Sequence, residues 1–387
     1  MDNDYVIIDS NLGATPRWEF SNHKKVCSTS DGVVHVVWSL NDGSWKTYYA
    51  NSSDGLTFNS KLLMYEGGRA ISIACDEKNV AVVYHNNATY LSGYLGMNLS
   101  TNSGSSWSVL NPDKQMREEP DIWIRGQRIY VVYTDEDTYN LTLVKSTDLG
   151  SGWETVHNMG ENKIGEEPNI YVDGIGDGND KIHVVFGQGT EGRYYVNSTD
   201  GGDTWGSRIT LFASGNSAQY PAITGSGNNL YAITDSTLGI RYRNSSNGGS
   251  TWSTEATIRS GTSRSFISLN NESRPMVVFA ESGYVKYMHY NLSNSWSEPT
   301  TLMYPNSQYP FINQKYLNNR NDFVWYNSDD NGYLYYDKIQ YDDTKKPTYS
   351  HNSTNSTYAG QDILHSLRWE DEGSLSGYIF SFDNGTG

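Results

Sequence analysis

The stretch Asn197-Ser-Thr-Asp-Gly-Gly-Asp-Thr-Trp205 contains the pattern Ser-x-Asp-x-Gly-x-x-Trp, which recurs through most of the chain. Further full copies stand at residues 100–107, 146–153 and 245–252, with a shortened copy at 52–58 and a remnant at 290–296. The Asp or Asn of each copy can accept hydrogen bonds from its own loop, the Gly permits a positive φ, and the Trp can enter the core. Each copy therefore predicts a turn that leads into a strand.

One apolar position recurs in every repeat and gives the period of the chain. It is occupied by Cys27, Ile73, Ile122, Ile170, Ile223, Ile267 and Ile312, which are separated by 46, 49, 48, 53, 44 and 45 residues. A Val-Val-aromatic run follows at residues 36–38, 82–84, 131–133, 184–186 and 277–279. This period is typical of a four-stranded propeller blade. The sequence thus predicts an all-β, seven-bladed β-propeller in preference to a six-bladed one.

The two ends of the propeller are predicted to meet in one blade. The seventh repeat supplies three strands, the last ending at residue 340, and lacks a fourth. The apolar run Tyr5-Val-Ile-Ile8 has no blade of its own. We expect this N-terminal strand to complete the seventh blade, because closing the ring removes an open sheet edge.

The repeated turn resembles the Asp-box, or BNR repeat, of the sialidase superfamily and other secreted β-propellers. The resemblance implies a propeller fold, with these turns on the face away from an active site. It also has limits, because sialidases have six blades and place their first arginine in an Arg-Ile-Pro motif that is absent here. The nearest phrase, Thr15-Pro-Arg-Trp18, has a different order.

The composition changes after the propeller, which is predicted to span residues 1–340. Residues 341–350 are predicted to form a linker, and residues 351–387 a further segment. Within that segment, residues 367–369 and 375–382 resemble the first half of an immunoglobulin-like or fibronectin type III-like sandwich of prokaryotic surface proteins. About forty residues cannot complete such a sandwich, so we expect a partial β-sandwich belonging to a longer domain.

Charge and sequons indicate the setting of the protein. The 387 residues carry a formal net charge of −16, so the chain lacks the basic surface that nucleic acids or anionic membranes require. No apolar run is long enough to span a membrane. Eleven Asn-x-Ser/Thr sequons favour an extracellular glycoprotein at the cell surface, and we expect a secretory leader to have been removed before Met1.

The two cysteines are predicted to be free, buried thiols. Cys27 and Cys75 fall on the innermost strands of neighbouring repeats, two positions apart in register. Their side chains are therefore expected to point the same way around the ring rather than at each other.

Candidate ligand-binding residues come just before or after the predicted strands that approach the channel mouth. The segment before each inner strand places basic, acidic and aromatic groups around the mouth, and His23, Lys24 and Lys25 are among the basic ones. Aromatic rings can stack on sugar faces, while charged and amide groups bond to hydroxyls. The candidates for ligand binding are Arg69, Arg117, Arg264, Trp45, Gln219 and Gln308.

Two kinds of hydrolase are compatible with the acids and tyrosines of this face. Glycosidases need two carboxylates at a set separation, and the candidates are Glu118, Glu119, Glu166 and Glu167. The sialidase resemblance instead implies a tyrosine nucleophile beside a glutamate, for which Tyr220 and Tyr309 are the candidates. The alternative is that Glu-Glu-Pro recurs because the blades are copies of one another.

The insertion at residues 173–180 offers the one candidate metal site. Asp173, Asp177 and Asp180 could hold calcium through their oxygens, although their order does not match an EF-hand loop. A flexible acidic turn is the other interpretation, and we predict no cofactor.

These observations favour a non-catalytic recognition or structural module of a cell-surface protein that faces a glycan or a protein partner through the channel mouth. A sialidase-like glycoside hydrolase is the alternative. A purely architectural envelope component is the third hypothesis.

Overall fold

The structure is a computed structural model. It describes residues 5–10, 12, 23–41, 43–87, 93–117, 120–156, 166–174, 176, 178–188, 191–214, 218–261, 263–293, 295–302, 307–313, 316–317, 319–327, 332–340, 348–354 and 365–370. In the described part of the chain, no helix has the length and apolar character needed to cross a membrane.

The described residues form 31 strands. In chain order these are β1 (Val6–Asp9), β2 (Val26–Ser28), β3 (Val34–Asn41), β4 (Trp45–Ser52), β5 (Leu62–Glu66), β6 (Arg69–Asp76), β7 (Asn79–His85), β8 (Gly93–Ser100), β9 (Ser108–Leu110), β10 (Gln115–Met116), β11 (Asp121–Arg125), β12 (Arg128–Thr134), β13 (Leu141–Ser146), β14 (Glu154–Val156), β15 (Glu166–Asp173), β16 (Lys181–Gln188), β17 (Gly192–Ser198), β18 (Ile209–Ala213), β19 (Gln219–Ser226), β20 (Asn229–Ser236), β21 (Gly239–Ser245), β22 (Ala256–Arg259), β23 (Ser263–Leu269), β24 (Pro275–Glu281), β25 (Tyr284–His289), β26 (Thr300–Thr301), β27 (Ser307–Ile312), β28 (Arg320–Asn327), β29 (Tyr333–Gln340), β30 (Thr348–Thr354) and β31 (His365–Glu370).

Seven antiparallel sheets form the predicted seven-bladed propeller. Blades 1 and 3 to 6 each take four consecutive strands, namely β2–β5, β11–β14, β15–β18, β19–β22 and β23–β26. Blade 2 uses β6, β7 and β8 in order, and both β9 and β10 pair with β8. The period of the apolar repeat therefore gave the blade count correctly.

The N-terminal strand closes the ring as predicted. Blade 7 has the order β1-β29-β28-β27, and β1 pairs antiparallel with β29 through Val6–Tyr336 and Ile7–Tyr335. The first and last strands of the propeller are thus neighbours in one sheet, in which β1 covers the edge of β29 and becomes the outer strand of blade 7.

The recurrent turns have one hydrogen-bond scheme. In the copy at residues 198–205, Ser198 Oγ accepts from the Gly202 N–H at 2.8 Å and donates to Asp200 Oδ1 at 2.7 Å. Asp200 Oδ1 also accepts from the Thr204 N–H at 2.9 Å. Asn247 replaces the aspartate in the copy at 245–252 and accepts from the Thr251 N–H at 2.9 Å. The acceptor oxygen rather than the charge is therefore what the turn needs, which explains why Asn and Asp interchange.

The prediction of free thiols is wrong, because Cys27 and Cys75 form a disulfide with their Cα atoms 5.8 Å apart. The innermost strands of blades 1 and 2 approach closely enough for the Ile73 N–H to donate to the Lys24 carbonyl at 3.1 Å. The prediction compared the positions of the two cysteines within their own repeats. Those positions do not give the distance between neighbouring blades, so the prediction missed the contact between the two side chains.

The chain divides into two compact units, Met1–Ile339 and Gln340–Gly387. In the second unit, β30 and β31 pair antiparallel. β30 begins at Thr348, inside the stretch predicted as a linker. Residues 371–387, which include most of the predicted sandwich signature, lie outside the described residues.

Candidate functional site

A lysine from blade 1 crosses the central channel. Lys24 Nζ donates to Asp121 Oδ2 at 2.5 Å, to the Ile122 carbonyl at 2.9 Å and to the Ile170 carbonyl at 3.1 Å. These acceptors belong to the innermost strands of blades 3 and 4. Burial lowers the pKa of Lys24, and the charge of Asp121 opposes that shift. We call Lys24 and Asp121 the channel ion pair.

Asp121 gathers donors from several blades. Its Oδ1 accepts from Ser72 Oγ at 2.6 Å, and its Oδ2 accepts from Asn169 Nδ2 at 3.0 Å and from the Ile170 N–H at 2.9 Å. The carboxylate is fully buried, so these bonds replace the water that it has lost. Four inner strands are therefore joined through one side chain.

The basic residues predicted at the mouth of blade 1 are buried instead. His23, Lys24 and Lys25 are 1%, 4% and 5% exposed, and Lys25 Nζ donates to the Ile71 carbonyl. Long aliphatic stems allow both ammonium groups to reach acceptors across the ring. The channel beside them holds a cavity of about 30 Å³, lined in part by Cys75 and Trp123, which has room for about two water molecules and not for a sugar.

The mouth face carries a repeated backbone irregularity. Five blades have a β-bulge at the start of the innermost strand. It lies between Arg69 and Ser72 in blade 2, and between Glu166 and Asn169, Gln219 and Ala222, Ser263 and Phe266, and Gln308 and Phe311 in blades 4 to 7. In blades 4 to 7 one residue inside the bulge has a left-handed backbone, at Glu167 (φ 52°), Tyr220 (φ 54°), Arg264 (φ 60°) and Tyr309 (φ 53°). Such conformations cost about 1–3 kcal/mol for residues other than glycine and concentrate at functional sites. We call these four residues, with Arg193 and Gln308, the mouth cluster.

One half of the mouth cluster joins blades 6 and 7. The Arg264 guanidinium lies 3.5 Å from the centre of the Tyr309 ring, and its Nη1 donates to Gln308 Oε1 at 3.0 Å. All three side chains are only partly buried. An aromatic ring, an amide and a cation are thus presented together at the face.

The other half joins blades 4 and 5. Glu167 Oε2 accepts from the Tyr220 N–H at 2.9 Å and lies 3.4 Å from Arg193 Nη2. Arg193 is 3% exposed. Glu167 is therefore engaged as a structural acceptor that fixes the backbone of Tyr220.

A buried carboxyl lies behind the mouth cluster. Asp235 accepts from the Ser265 N–H at 3.0 Å and from Ser265 Oγ at 2.5 Å, which links blade 5 to blade 6 next to Arg264. Asp235 is 6% exposed, and burial raises its pKa to about 6. The folded protein therefore holds a proton between about pH 4 and 6 that the unfolded chain releases.

Asp235→Asn is expected to change the pH dependence of stability. The contribution of Asp235 is fully present below about pH 4 and is lost as the pH rises through about 6, a difference of roughly 3 kcal/mol. Urea unfolding of both proteins between pH 4 and 8 should show the wild type losing stability relative to the variant up to about pH 7. Parallel profiles would contradict this assignment, because the other carboxyls are common to both proteins.

Three of the four remaining predicted ligand residues lie apart from the mouth cluster, whereas Gln219 directly precedes Tyr220 of that cluster. Arg69 is 6% exposed and lies opposite His85 in the β6–β7 strand pair, while Arg117 lies 4.5 Å from the centre of the Tyr139 ring. Gln219 is exposed at the start of β19, and Trp45 is 8% exposed at the start of β4.

Several predicted catalytic and metal residues are not placed by the structure. Glu118, Glu119 and the side chain of Glu166 lie outside the described residues, as does Asp177 of the candidate calcium loop. Both carboxylate oxygens of Asp180 accept hydrogen bonds within the protein, Oδ1 from the Gly176 N–H and Oδ2 from the Tyr130 hydroxyl, each at 2.8 Å.

Comparisons with known proteins define the fold. No protein-family model matches the chain, and no curated protein matches it. The BP39L lectin from Burkholderia pseudomallei is 12% identical over 83% of this chain and 96% of the lectin, with a TM-score of 0.64. An α-L-arabinanase from Penicillium chrysogenum, solved with arabinobiose, is 11% identical over 87% of this chain and 98% of that chain, with a TM-score of 0.52. The NanB sialidase from Streptococcus pneumoniae is 14% identical over 88% and 71% of the two chains, with a TM-score of 0.48. At these identities the similarity to the lectin and the arabinanase, both with TM-scores above 0.5, shows that the chain shares the β-propeller fold, and nothing about its activity.

Proposed function

We propose that the protein is a non-catalytic carbohydrate-recognition module whose binding surface is the mouth cluster. The observation that carries this proposal is the left-handed backbone of four non-glycine residues at the same position in four consecutive blades. Strain of this kind persists where the surrounding structure holds it, and it marks sites where side-chain direction matters. Here it directs Tyr220, Arg264 and Tyr309 to one face.

The chemistry of the mouth cluster suits a sugar. Pyranose rings present apolar faces that stack on aromatic side chains, and their hydroxyls bond to amides and guanidinium groups. Tyr309, Gln308 and Arg264 supply one of each within direct contact distance. The lectin and the arabinanase that share the fold are described by names that refer to carbohydrate, which agrees with this proposal.

Three carboxylates of the mouth face favour binding over hydrolysis. Glu167 is engaged with Tyr220 and Arg193, and Asp235 is buried against Ser265. Glu281, at the end of β24, accepts from Arg259 and Lys286 at 2.6 and 2.5 Å, and the bond from Arg259 lowers its pKa. A glycosidase needs one accessible acid with a raised pKa and a second carboxylate nearby, which these three do not supply. A sialidase-like hydrolase that uses Glu118, Glu119 or Glu166 is the alternative.

We further propose that the module works outside the cell, on a cell-surface protein. The disulfide between Cys27 and Cys75 supports an oxidising compartment, and the sequons and the net charge of −16 agree with it. We propose also that residues 351–387 belong to an immunoglobulin-like or fibronectin type III-like surface domain, and that the repeated turns are Asp-boxes.

Tyr309→Ala is expected to weaken glycan retention at least tenfold without releasing any monosaccharide, because it removes the ring on which Arg264 lies. The measurement is a panel of immobilised sialylated and neutral glycans, scored for both retained protein and released sugar. Tyr284→Ala is the matched control, since Tyr284 is 36% exposed on blade 6 and lies outside the mouth cluster.

The same panel separates the alternatives. Release of monosaccharide by the wild type that disappears in Glu166→Gln or Glu167→Gln would replace the binding proposal with a hydrolase. If the protein neither retains a glycan nor releases a monosaccharide, an architectural role is favoured.

A further inference from the structure

A second pocket lies on the mouth face between blades 2 and 3, away from the mouth cluster. It has a volume of about 290 Å³, and its lining residues are Asn86, Asn87, Gly93, Tyr94, Gln115 and Glu136. It stands where β7 ends and β8 begins, and the bridge between Met116 and Asp135 joins the two blades beside it. This volume is near the lower end of the range for small-molecule sites.

The aromatic wall of this pocket is held in place by amides. Asn86 Oδ1 accepts from the Tyr94 N–H at 2.7 Å, and the Asn86 N–H donates to the Tyr94 carbonyl at 3.0 Å. Gln115 Nε2 donates to the Tyr94 hydroxyl at 3.2 Å. Tyr94 is nevertheless 40% exposed. A fixed and accessible ring of this kind costs little entropy when a ligand stacks on it.

His85 lies next to two lining residues, Asn86 and Asn87, and holds Asn87 in place. His85 is 1% exposed, its Nε2 donates to the Met116 carbonyl at 3.2 Å, and its Nδ1 accepts from the Asn87 N–H at 3.2 Å. Burial lowers the pKa of His85, so the imidazole is neutral at pH 7. A Cβ added at Gly93 would lie 2.5 Å from His85 and 2.9 Å from Asn87, so only glycine allows β8 to approach these two residues so closely.

The carboxylate of the lining has an unused acceptor. Within the described residues, Glu136 Oε2 is buried and has no hydrogen-bond partner. Because Oε2 is enclosed by protein, a ligand in the pocket would meet this carboxylate through its other oxygen, Oε1. Glu136 carries the only formal charge among the six lining residues, so the pocket disfavours anions.

We propose that this pocket binds a single neutral sugar, with the sugar ring against Tyr94 and a hydroxyl donating to Glu136. The Asn86 oxygen accepts from the Tyr94 N–H and the Gln115 amide group donates to the Tyr94 hydroxyl, which leaves Asn86 Nδ2 and Gln115 Oε1 as further partners for hydroxyls. Sialic acid and other acidic sugars are excluded by the charge of Glu136. This proposal does not depend on the mouth cluster.

The test is calorimetric titration of protein made without N-glycosylation, so that Asn87 of the Asn87-Ala-Thr89 sequon carries no glycan. The probes are the methyl glycosides of glucose, galactose and mannose, with N-acetylneuraminic acid as the acidic comparison. Millimolar or tighter binding of at least one neutral glycoside is expected, and no binding of the acid. Glu136→Gln and Tyr94→Ala should each weaken that binding at least tenfold.

Matched controls separate this pocket from the rest of the molecule. Glu154→Gln replaces a 67% exposed carboxylate on blade 3, and Tyr284→Ala replaces a tyrosine of similar exposure; both should bind as the wild type does. Urea midpoints identify any variant that fails to fold. The proposal is overturned if no neutral glycoside binds, or if binding is lost with Tyr309→Ala and retained with both pocket variants. The latter result would leave the mouth cluster as the sugar site.

Discussion

Asp121→Asn is expected to destabilise the propeller by about 3–5 kcal/mol, because it leaves the ammonium of Lys24 buried without its counter-charge. The two side chains of the channel ion pair are 0% and 5% exposed. An amide cannot replace the carboxylate, since its NH₂ group would face one of the donors that Asp121 now accepts from. The measurement is the free energy of unfolding from urea titration at pH 7.

The matched control is Glu272→Gln, which makes the same chemical change in an exposed pair. Glu272 and Arg274 are 46% and 27% exposed and 3.5 Å apart, so we expect a loss of about 0–1 kcal/mol. The double variant Lys24→Met/Asp121→Asn should recover part of the loss, because no unpaired charge is then buried. A cost for Asp121→Asn no greater than that for Glu272→Gln would mean that the channel ion pair does not hold the inner strands together.

Removing the disulfide with Cys27→Ser/Cys75→Ser is expected to lower the free energy of unfolding by about 4 kcal/mol. The bond closes a sequence separation of 48 residues, so its loss mainly frees the unfolded chain. It also joins the innermost strands of two blades, where the ring has no other covalent link among the described residues.

Dithiothreitol provides the internal control for that variant. The wild type should fall to the urea midpoint of the double serine variant when reduced, while the variant itself should not change. Two maleimide-reactive thiols in the unreduced, denatured wild type would show that the bond had not formed.

The fold could be predicted from sequence because its signals are local. The apolar repeat and the Val-Val-aromatic runs each lie within a single strand, as in β7 and β12, so their spacing gives the blades directly. The closing role of β1 followed from one missing strand in the last repeat. The exchange of Asp for Asn in the turns is equally local, because one acceptor oxygen satisfies the same backbone N–H groups.

The site was less predictable because it depends on distances between blades. Lys24 was expected at the mouth, yet its stem is long enough to reach Asp121 two blades away. The polar residue next to the apolar repeat position, as at Asp121 and Asn169, was the available signal for a buried network. The sequence predicted that Arg264 and Tyr309 lie on the mouth face, but it could not predict that they contact each other. The pocket at Tyr94 depends on how the edges of two blades meet, which no single repeat encodes.

The pairing of β1 with β29 also determines the order in which strands can pair during synthesis of the chain. Val6 lies about 330 residues before its partner Tyr336. At a synthesis rate of about 5–20 residues per second, β1 waits roughly 15–65 s for that partner to be made. A local hairpin forms in about 1–10 μs, so blades 1 to 6 can fold long before β1 can pair with β29 and close the ring. During this interval an apolar strand has no partner in the chain and must be kept from pairing elsewhere. At this blade the first strand to be made is the last to pair.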